Sequence, residues 1–354
     1  MEQYRQTCEN ILNHYKKYPK MCLQDLFKFL FQSAFGCEHM VSSLDNAIDY
    51  INDEYITVDK KATPLIEELD GNYCRVHLSC LNSGVTAETL GKLFFLSAKR
   101  EDNGQKELIV KLKVLNELIV NKQLPFDVED FERQLKTWQA EGYKAVHHSK
   151  QFKENYNPNY RLISKQFVPF LLLFAELDKK LQNKNLIIAI EGGSGSGKTT
   201  LSQILNSVYD CAVVHTDDFF LQSHQRIKER YNEAGGNLDR ERLIEEVLQP
   251  LKENKKIVYH KFDCSTMQLG EQITFTPKKL TVVEGAYSMH PDLMKYYDFS
   301  VFLDISKESQ KTRIINRNGE TFAQNFFNLW IPLEEKYFSL LNIKENCNMK
   351  ITIK

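Results

Sequence analysis

The chain of 354 residues carries 46 Lys plus Arg against 47 Asp plus Glu, a formal charge of -1. No bulk positive field therefore exists to hold a nucleic-acid backbone or an anionic membrane surface. Its 42% hydrophobic and 26% charged residues exclude general disorder, and at about 150 residues per domain the length predicts two domains, each able to bury a core.

The amino-terminal stretch from Met1 to Tyr15 is polar within its first ten residues and lacks the basic-then-apolar order of a secretory leader. Apolar residues then recur at helical spacing as far as about residue 182 and almost never alternate. Leu23, Leu26, Phe27, Leu30 and Ala34 form one stripe. Leu44, Ile48, Ile51 and Tyr55 form another behind the cap candidates Ser42 and Ser43. Leu108, Leu112, Leu115 and Ile119 form a third, and Val128, Phe131, Leu135 and Trp138 continue the pattern. Residues 1–182 are therefore expected to be a mostly helical domain, with connections at Gly71, Gly84 and Asn103-Gly104. The greasiest stretch, Phe167 to Leu177, contains Pro169 and is far short of the roughly 20 apolar residues that span a bilayer, so it reads as a buried helix. The eight cysteines include no Cys-x-x-Cys pair, which fits reduced thiols in a cytoplasmic protein.

This half offers only scattered chemistry. Cys74, His77 and Cys80 lie within seven positions, but their spacing is not that of a closed zinc knuckle, and buried cysteine ordinarily behaves as a small hydrophobe. Cations and aromatics interleave from Gly142 to Arg161, a composition that suits a phosphorylated or nucleic-acid ligand or, more plainly, a solvated loop between helices. His39, His77, His148, Tyr160 and Arg161 are the candidate residues here.

The grammar changes at the polar junction 178–185. Strand candidates at Leu186 to Ile190, Ala212 to Val214, Ile257 to Tyr259, Leu280 to Val283 and Val301 to Ile305 alternate with helical stretches. Arg240 to Leu251 follows the cap candidate Asp239, and Lys307 to Asn316 lies between Ser306 and Gly319. This alternation predicts an α/β domain over 183–354 with a doubly wound parallel sheet, whose ligands sit at the carboxyl ends of the strands. No internal repeat is found.

Directly after the first of these strands, Gly192-Gly193-Ser194-Gly195-Ser196-Gly197-Lys198-Thr199-Thr200 satisfies the phosphate-loop (Walker A) pattern and runs into Leu201, Ile204 and Leu205 at helical spacing. Glycines let successive N–H groups face the phosphates, Lys198 reaches the outer phosphates, and the Thr199 hydroxyl is placed to ligate magnesium. No Asn-Lys-x-Asp for reading guanine is present, nor the Leu-Ser-Gly-Gly-Gln of a transporter ATPase. A small-molecule kinase needs a carboxylate at the acceptor hydroxyl, a magnesium anchor and cations over the transferring group. Asp217 and Asp218 follow one strand, Glu284 ends another, and Arg313 and Arg317 lie four apart on one helical face.

On these residues, roughly 185 to 340 resembles the uridine kinase and phosphoribulokinase family of P-loop kinases. Thr216-Asp217-Asp218-Phe219-Phe220 is similar to the family's Asp-Ser-Phe-Tyr or Asp-Asp-Phe-Phe segment, which implies Asp217 as the base. Asn237-Leu238-Asp239 is similar to its Asn-Phe-Asp, which implies that Asp239 holds sugar hydroxyls, beside the plain reading as a helix cap. Val283-Glu284-Gly285 resembles its magnesium motif, and Arg313 to Arg317 its lid arginines. The resemblance implies ATP and Mg2+ as cofactors and a small hydroxyl acceptor of nucleoside type as partner, with no membrane or nucleic-acid partner and a homo-oligomer left open. Tyr259 and Phe262 supply the aromatic pair expected around a base, but no His-x-Arg follows them, and the lid lacks a further Arg-Gly-Arg. Phe326, Trp330, Pro332, Glu334 and Tyr337 have spacings reminiscent of nicotinamide riboside kinases, though an aromatic helical stripe is also what a core requires. The alternative to a kinase is a nucleotide-dependent switch, in which the P-loop half controls the helical half.

Overall fold

A computed structural model describes residues 2–98 and 103–353. The chain forms two compact units, residues 1–178 and 179–354. In the first, α1 (Glu2–Lys17), α2 (Leu23–Phe35), α3 (Leu44–Tyr55), α4 (Ala87–Ser97), α5 (Gly104–Val120), α6 (Val128–Ala140) and α7 (Lys150–Tyr156) precede α8 (Leu171–Leu181). The stripes Leu23, Leu26, Phe27, Leu30, Ala34 and Leu108, Leu112, Leu115, Ile119 are all buried, because residues three and four apart share one helix face. Ser43 is the cap of α3, its side chain accepting from the Asn46 N–H at 3.2 Å, which supplies one otherwise orphaned donor. The stretch expected as one buried helix divides at Pro169. A 3-10 segment, Lys165–Phe170, leads into α8, whose Leu172 is exposed.

One feature of this half departs from the sequence expectation. A three-stranded antiparallel sheet, β1 (Ile66–Glu68), β2 (Tyr73–His77) and β3 (Tyr160–Ser164), joins its helices, with Val76 opposite Arg161 and His77 opposite Tyr160. Tyr73 through Val76 are all buried, so β2 shows none of the alternation by which a half-exposed strand is recognised.

In the second unit, β4 (Leu186–Gly192), β5 (Cys211–His215), β8 (Leu280–Glu284), β9 (Phe299–Ile305) and β10 (Met349–Ile353) form one parallel sheet in the order β10-β9-β4-β8-β5. Between β5 and β8, the strands β6 (Ile257–Asp263) and β7 (Gln268–Phe275) pair antiparallel as a separate hairpin. The strand expected at Ile257 to Tyr259 thus exists, but outside the parallel sheet. β4 and β8 are buried along their whole length, as parallel strands covered on both faces must be. Helix α9 (Lys198–Val208) opens directly from the turn after β4, and its Leu201, Ile204 and Leu205 are buried. No helix among the described residues is long and apolar enough to cross a membrane.

Candidate active site

The parallel registers bring three strand ends together. Ile190 of β4 lies opposite Glu284 of β8, which lies opposite His215 of β5. The residues following these positions therefore converge at one edge, where a doubly wound sheet places its ligand.

After β4 the backbone turns with φ of 150° at Gly192, 77° at Gly195 and 98° at Gly197, a region that side chains with a Cβ rarely occupy. At Gly192 a Cβ would lie 2.6 Å from the Leu303 carbonyl oxygen and 2.8 Å from Ser196 Oγ. The curled loop is held from outside. Glu334 accepts from the Ser194 N–H at 2.8 Å and from its hydroxyl at 2.6 Å, while Gln310 Nε2 donates to the Ser194 carbonyl at 2.8 Å. Replacing Glu334 by Ala should lower unfolding stability by about 1–3 kcal/mol in chemical denaturation, because two donors lose a nearly buried carboxylate partner.

Lys198 Nζ lies inside the loop, donating to the carbonyls of Gly192 at 2.7 Å and Gly193 at 3.2 Å. Ser196 Oγ is buried there and has no hydrogen-bond partner among the described residues. An unmatched hydroxyl beside an ammonium, at a helix amino terminus, suits the phosphates of a nucleotide. Thr199 Oγ1 donates to Glu284 Oε1 at 3.0 Å. A hydroxyl and a carboxylate side by side are the hard oxygen donors that fit a magnesium ion, which takes one or two protein ligands and fills the rest of its shell with phosphate and water.

His215 joins this group, its Nδ1 2.6 Å from Glu284 Oε1. The hydrogen bond to Glu284 raises the pKa of His215 above the ordinary histidine value. Asp217 follows on the 3-10 turn Thr216–Phe219. Asp217 is an exposed residue, yet the protein packed around its carboxyl raises its pKa; Lys198 and His215 pull it down, and Glu284 and Asp218 push it up. The turn is fixed from below: at Gly285 (φ 138°) a Cβ would lie 2.0 Å from Thr216 Oγ1, so only glycine permits this approach.

The remaining expected residues fall differently. Asp218 accepts from the Tyr259 hydroxyl at 3.0 Å, and Arg242 stacks 4.3 Å from the Phe219 ring. Tyr259 and Phe262, expected as substrate contacts, are instead 2% and 5% exposed. Their rings belong to the base of the hairpin, where Tyr259 packs 5.0 Å from Phe219. β6 turns both positions inward, and the Tyr259 hydroxyl donates to Asp218. Asp239 is buried and acts as a helix cap, one oxygen accepting from the Arg242 N–H at 3.2 Å and the other from Gln225 at 2.8 Å. Arg313 Nη1 is 3.4 Å from the Gly195 carbonyl, whereas Arg317 faces solvent beside Asn318 and the Phe326 ring. Of the aromatic stripe, Tyr337 is core and Trp330 is 37% exposed. Cys74 and Cys80 are buried, with thiol pKa values pushed up to about 11 and about 12 by burial, and no metal-binding cluster of three or more His, Cys, Asp or Glu occurs among the described residues.

Sequence reasoning did not single out Glu191, which is fully buried at the end of β4. It accepts from the N–H groups of Gly192 at 2.9 Å and Met289 at 3.1 Å and from the Tyr337 hydroxyl at 3.1 Å. Burial nevertheless raises its pKa to about 7, against the pull of Lys198. The folded state therefore holds this proton more tightly than the unfolded state, whose value is 4.5. Its contribution to stability is complete below about pH 4.5 and is lost as pH rises through about 7. Relative to Glu191→Gln, the wild-type chain should lose about 3 kcal/mol across that window in denaturant titrations at stepped pH. The available signal was a lone carboxylate at the end of an apolar run, immediately before a glycine.

Comparison with known proteins covers the second unit. Residues 187–321 match the model of the Phosphoribulokinase / Uridine kinase family. A uridine kinase of Macrococcus caseolyticus is 32% identical over 148 residues, which are 39% of this chain and 71% of that protein. A uridine kinase of Staphylococcus epidermidis is 26% identical over 171 residues, 44% of this chain and 82% of that protein. Among solved structures, a possible uridine kinase from Bacillus stearothermophilus aligns over 51% of this chain and 98% of its own, with 18% identity and a TM-score of 0.39.

Proposed function

The chain belongs to the phosphoribulokinase and uridine kinase family, and on that premise we propose that its second unit transfers the γ-phosphoryl group of ATP to a hydroxyl of a nucleoside or similar small molecule. The observation that carries this reading is the convergence of Lys198, Glu284 and Asp217 at the carboxyl ends of three adjacent parallel strands. A switch has no need of an acceptor base at that position.

Phosphoryl transfer asks mainly for positioning and charge stabilisation. Gly192 to Thr200 receive the phosphates through backbone N–H groups, and Lys198 exchanges its two carbonyl contacts for phosphate oxygens. Thr199 and Glu284 would hold Mg2+, which would offset charge on the phosphate oxygens. His215, bonded to Glu284, fixes the orientation of that carboxylate. Asp217 accepts the acceptor's hydroxyl proton at a carboxylate oxygen, and its raised pKa brings it nearer the pH at which a base both stays ionised and takes a proton readily. Arg313, already against the loop at the Gly195 carbonyl, and Arg317, once it leaves Asn318 and the Phe326 ring, supply cations to the transferring group from the helix Lys307–Asn318. The acceptor is a nucleoside-like compound, and any stacking of it on Tyr259 and Phe262 requires those rings to become more exposed than the 2% and 5% they show here. Asp239 keeps acceptor capacity on both oxygens beside its bonds to Gln225 and the Arg242 N–H, and in this reading uses it for acceptor hydroxyls.

The test is ADP release measured against a panel of nucleosides, nicotinamide riboside, pantothenate and phosphorylated sugars. At least one acceptor is expected to stimulate ADP release well above the acceptor-free rate. Tight ATP binding with no stimulation by any of them would count against the kinase reading and for the switch.

A further inference from the structure

The first unit contains a buried polar chain that the kinase chemistry does not use. Helix α2 buries three long polar side chains, Asp25, Lys28 and Gln32, which lie three and four residues apart on one face and are 0%, 8% and 1% exposed. A polar stripe buried on a helix is tolerated only when its groups find partners.

Two of the three are fully matched. Arg75 donates to Gln32 Oε1 from Nε at 3.0 Å and from Nη2 at 2.7 Å, which fixes the amide so that Gln32 Nε2 donates to the Tyr160 hydroxyl at 3.2 Å. Tyr160 must then donate to His148 Nε2, 2.7 Å away, and His148 donates from Nδ1 to Asp25 Oδ1 at 3.1 Å. Asp25 also accepts from the Ser149 N–H at 3.0 Å, the Ser149 hydroxyl at 2.7 Å and the Cys22 N–H at 3.1 Å. Donors thus run in one direction, from the Arg75 guanidinium to the Asp25 carboxylate. Arg75 additionally meets Glu67 at 3.4 Å, itself paired with His14 at 3.1 Å and Lys17 at 3.5 Å.

Lys28 sits between the two matched residues without such a partner. Among the described residues its ammonium donates to one acceptor, the Val146 carbonyl, at 3.0 Å. Its electrostatic neighbours are Arg75 and Lys153, with Asp25 the sole carboxylate, and Asp25 is already spent on five donors. Burial and those two cations lower the Lys28 pKa to about 8. Lys153, His39 and His147 lie exposed in its surroundings, with Glu38 beside His39; burial, Lys28 and His147 together hold the His39 pKa below the ordinary histidine value. A buried cation with one neutral acceptor is short of one anion.

We propose that Lys28 anchors a second ligand site in the first unit, one that binds a phosphate group through its ammonium, with Lys153, His39 and His147 at the mouth and the Arg75–Gln32–Tyr160–His148–Asp25 chain as the rigid wall behind it. The site takes a compact oxyanion, either inorganic phosphate or the phosphate of a small monoester. It is independent of the kinase reading, since no residue is shared.

The test is calorimetric titration of inorganic phosphate, and separately of glycerol 3-phosphate, into the full-length chain carrying Lys198→Ala to weaken the P-loop. One saturable event is expected with at least one of the two ligands, and the tighter of them identifies the source of the phosphate. Adding Lys28→Met should weaken that event at least tenfold, and adding Lys28→Arg should preserve it within about threefold, because a guanidinium also binds phosphate. Lys150→Met, at an exposed lysine paired with Glu154, should leave it unchanged and controls for general surface charge. Thermal unfolding without ligand shows whether Lys28→Met is folded, and the methyl-capped side chain should maintain or raise its midpoint. No saturable binding of either ligand, or a Lys28→Met isotherm superimposable on its parent, overturns the proposal.

Discussion

Asp217→Asn is expected to lower acceptor-dependent turnover by about a thousandfold while leaving ATP affinity within about twofold, since a positioned general base contributes about 10²–10⁴. The substitution keeps the shape of the side chain and the 3-10 turn Thr216–Phe219 that carries it. It removes the proton-accepting oxygen and the negative charge. Lys198 loses one nearby carboxylate in consequence, so ATP binding, which gathers its own negative charge at the loop, should if anything become slightly stronger. The measurement is kcat from single-turnover phosphoryl transfer, with ATP affinity determined separately. Unchanged turnover would remove Asp217 from its role. If the base is Asp217, kcat/KM should also fall as pH drops through its raised pKa, and the Asn variant should lose that limb.

Lys198→Ala is expected to act on both binding and transfer, lowering kcat/KM by about a thousandfold or more, since a preorganised charge at the transferring group is worth about 10²–10³ or above. In this structure the ammonium is folded back on the Gly192 and Gly193 carbonyls, so the loop is already arranged around a cation. Alanine leaves those two carbonyls without their donor and the phosphates without their countercharge. Lys198→Arg should rescue little, because a planar fork does not fit where a point charge sits within a tight glycine turn. An alanine variant retaining wild-type kcat/KM would mean that the phosphates lie elsewhere.

The candidate site was legible in the sequence to the extent that its residues lie next to strand ends. Glycines that need positive φ, a lysine at a helix start and a carboxylate closing an apolar run each leave a local mark, and those marks led to Lys198, Thr199, Asp217 and Glu284. What long-range packing decides was not legible. Glu334 comes from 140 positions away to hold Ser194, and Glu191 looks like the last residue of a strand until Tyr337 and Met289 are seen to donate to it. Tyr259 and Phe262 carry the aromatic identities of a base-binding pair but face the core, because the hairpin β6–β7 sets their direction and no local pattern records it. In the first half the helices follow from their stripes, yet β2 was missed because a strand buried on both faces has no alternation. His148 and Tyr160 stood out as chemistry-bearing residues without a purpose; their common partner chain through Gln32, Arg75 and Asp25 comes from three separate segments.

The central claim, that the γ-phosphoryl group passes to an acceptor hydroxyl rather than to water, is tested most directly with ATP carrying oxygen-18 on the γ-phosphoryl group. The stimulating acceptor is the partner, Lys198→Ala is the blank, and mass spectrometry is the readout. The account requires a product heavier than the acceptor by one labelled phosphoryl group, formed in step with ADP. Label recovered solely as inorganic phosphate, at a rate indifferent to every acceptor, would contradict it and favour a nucleotide-hydrolysing switch.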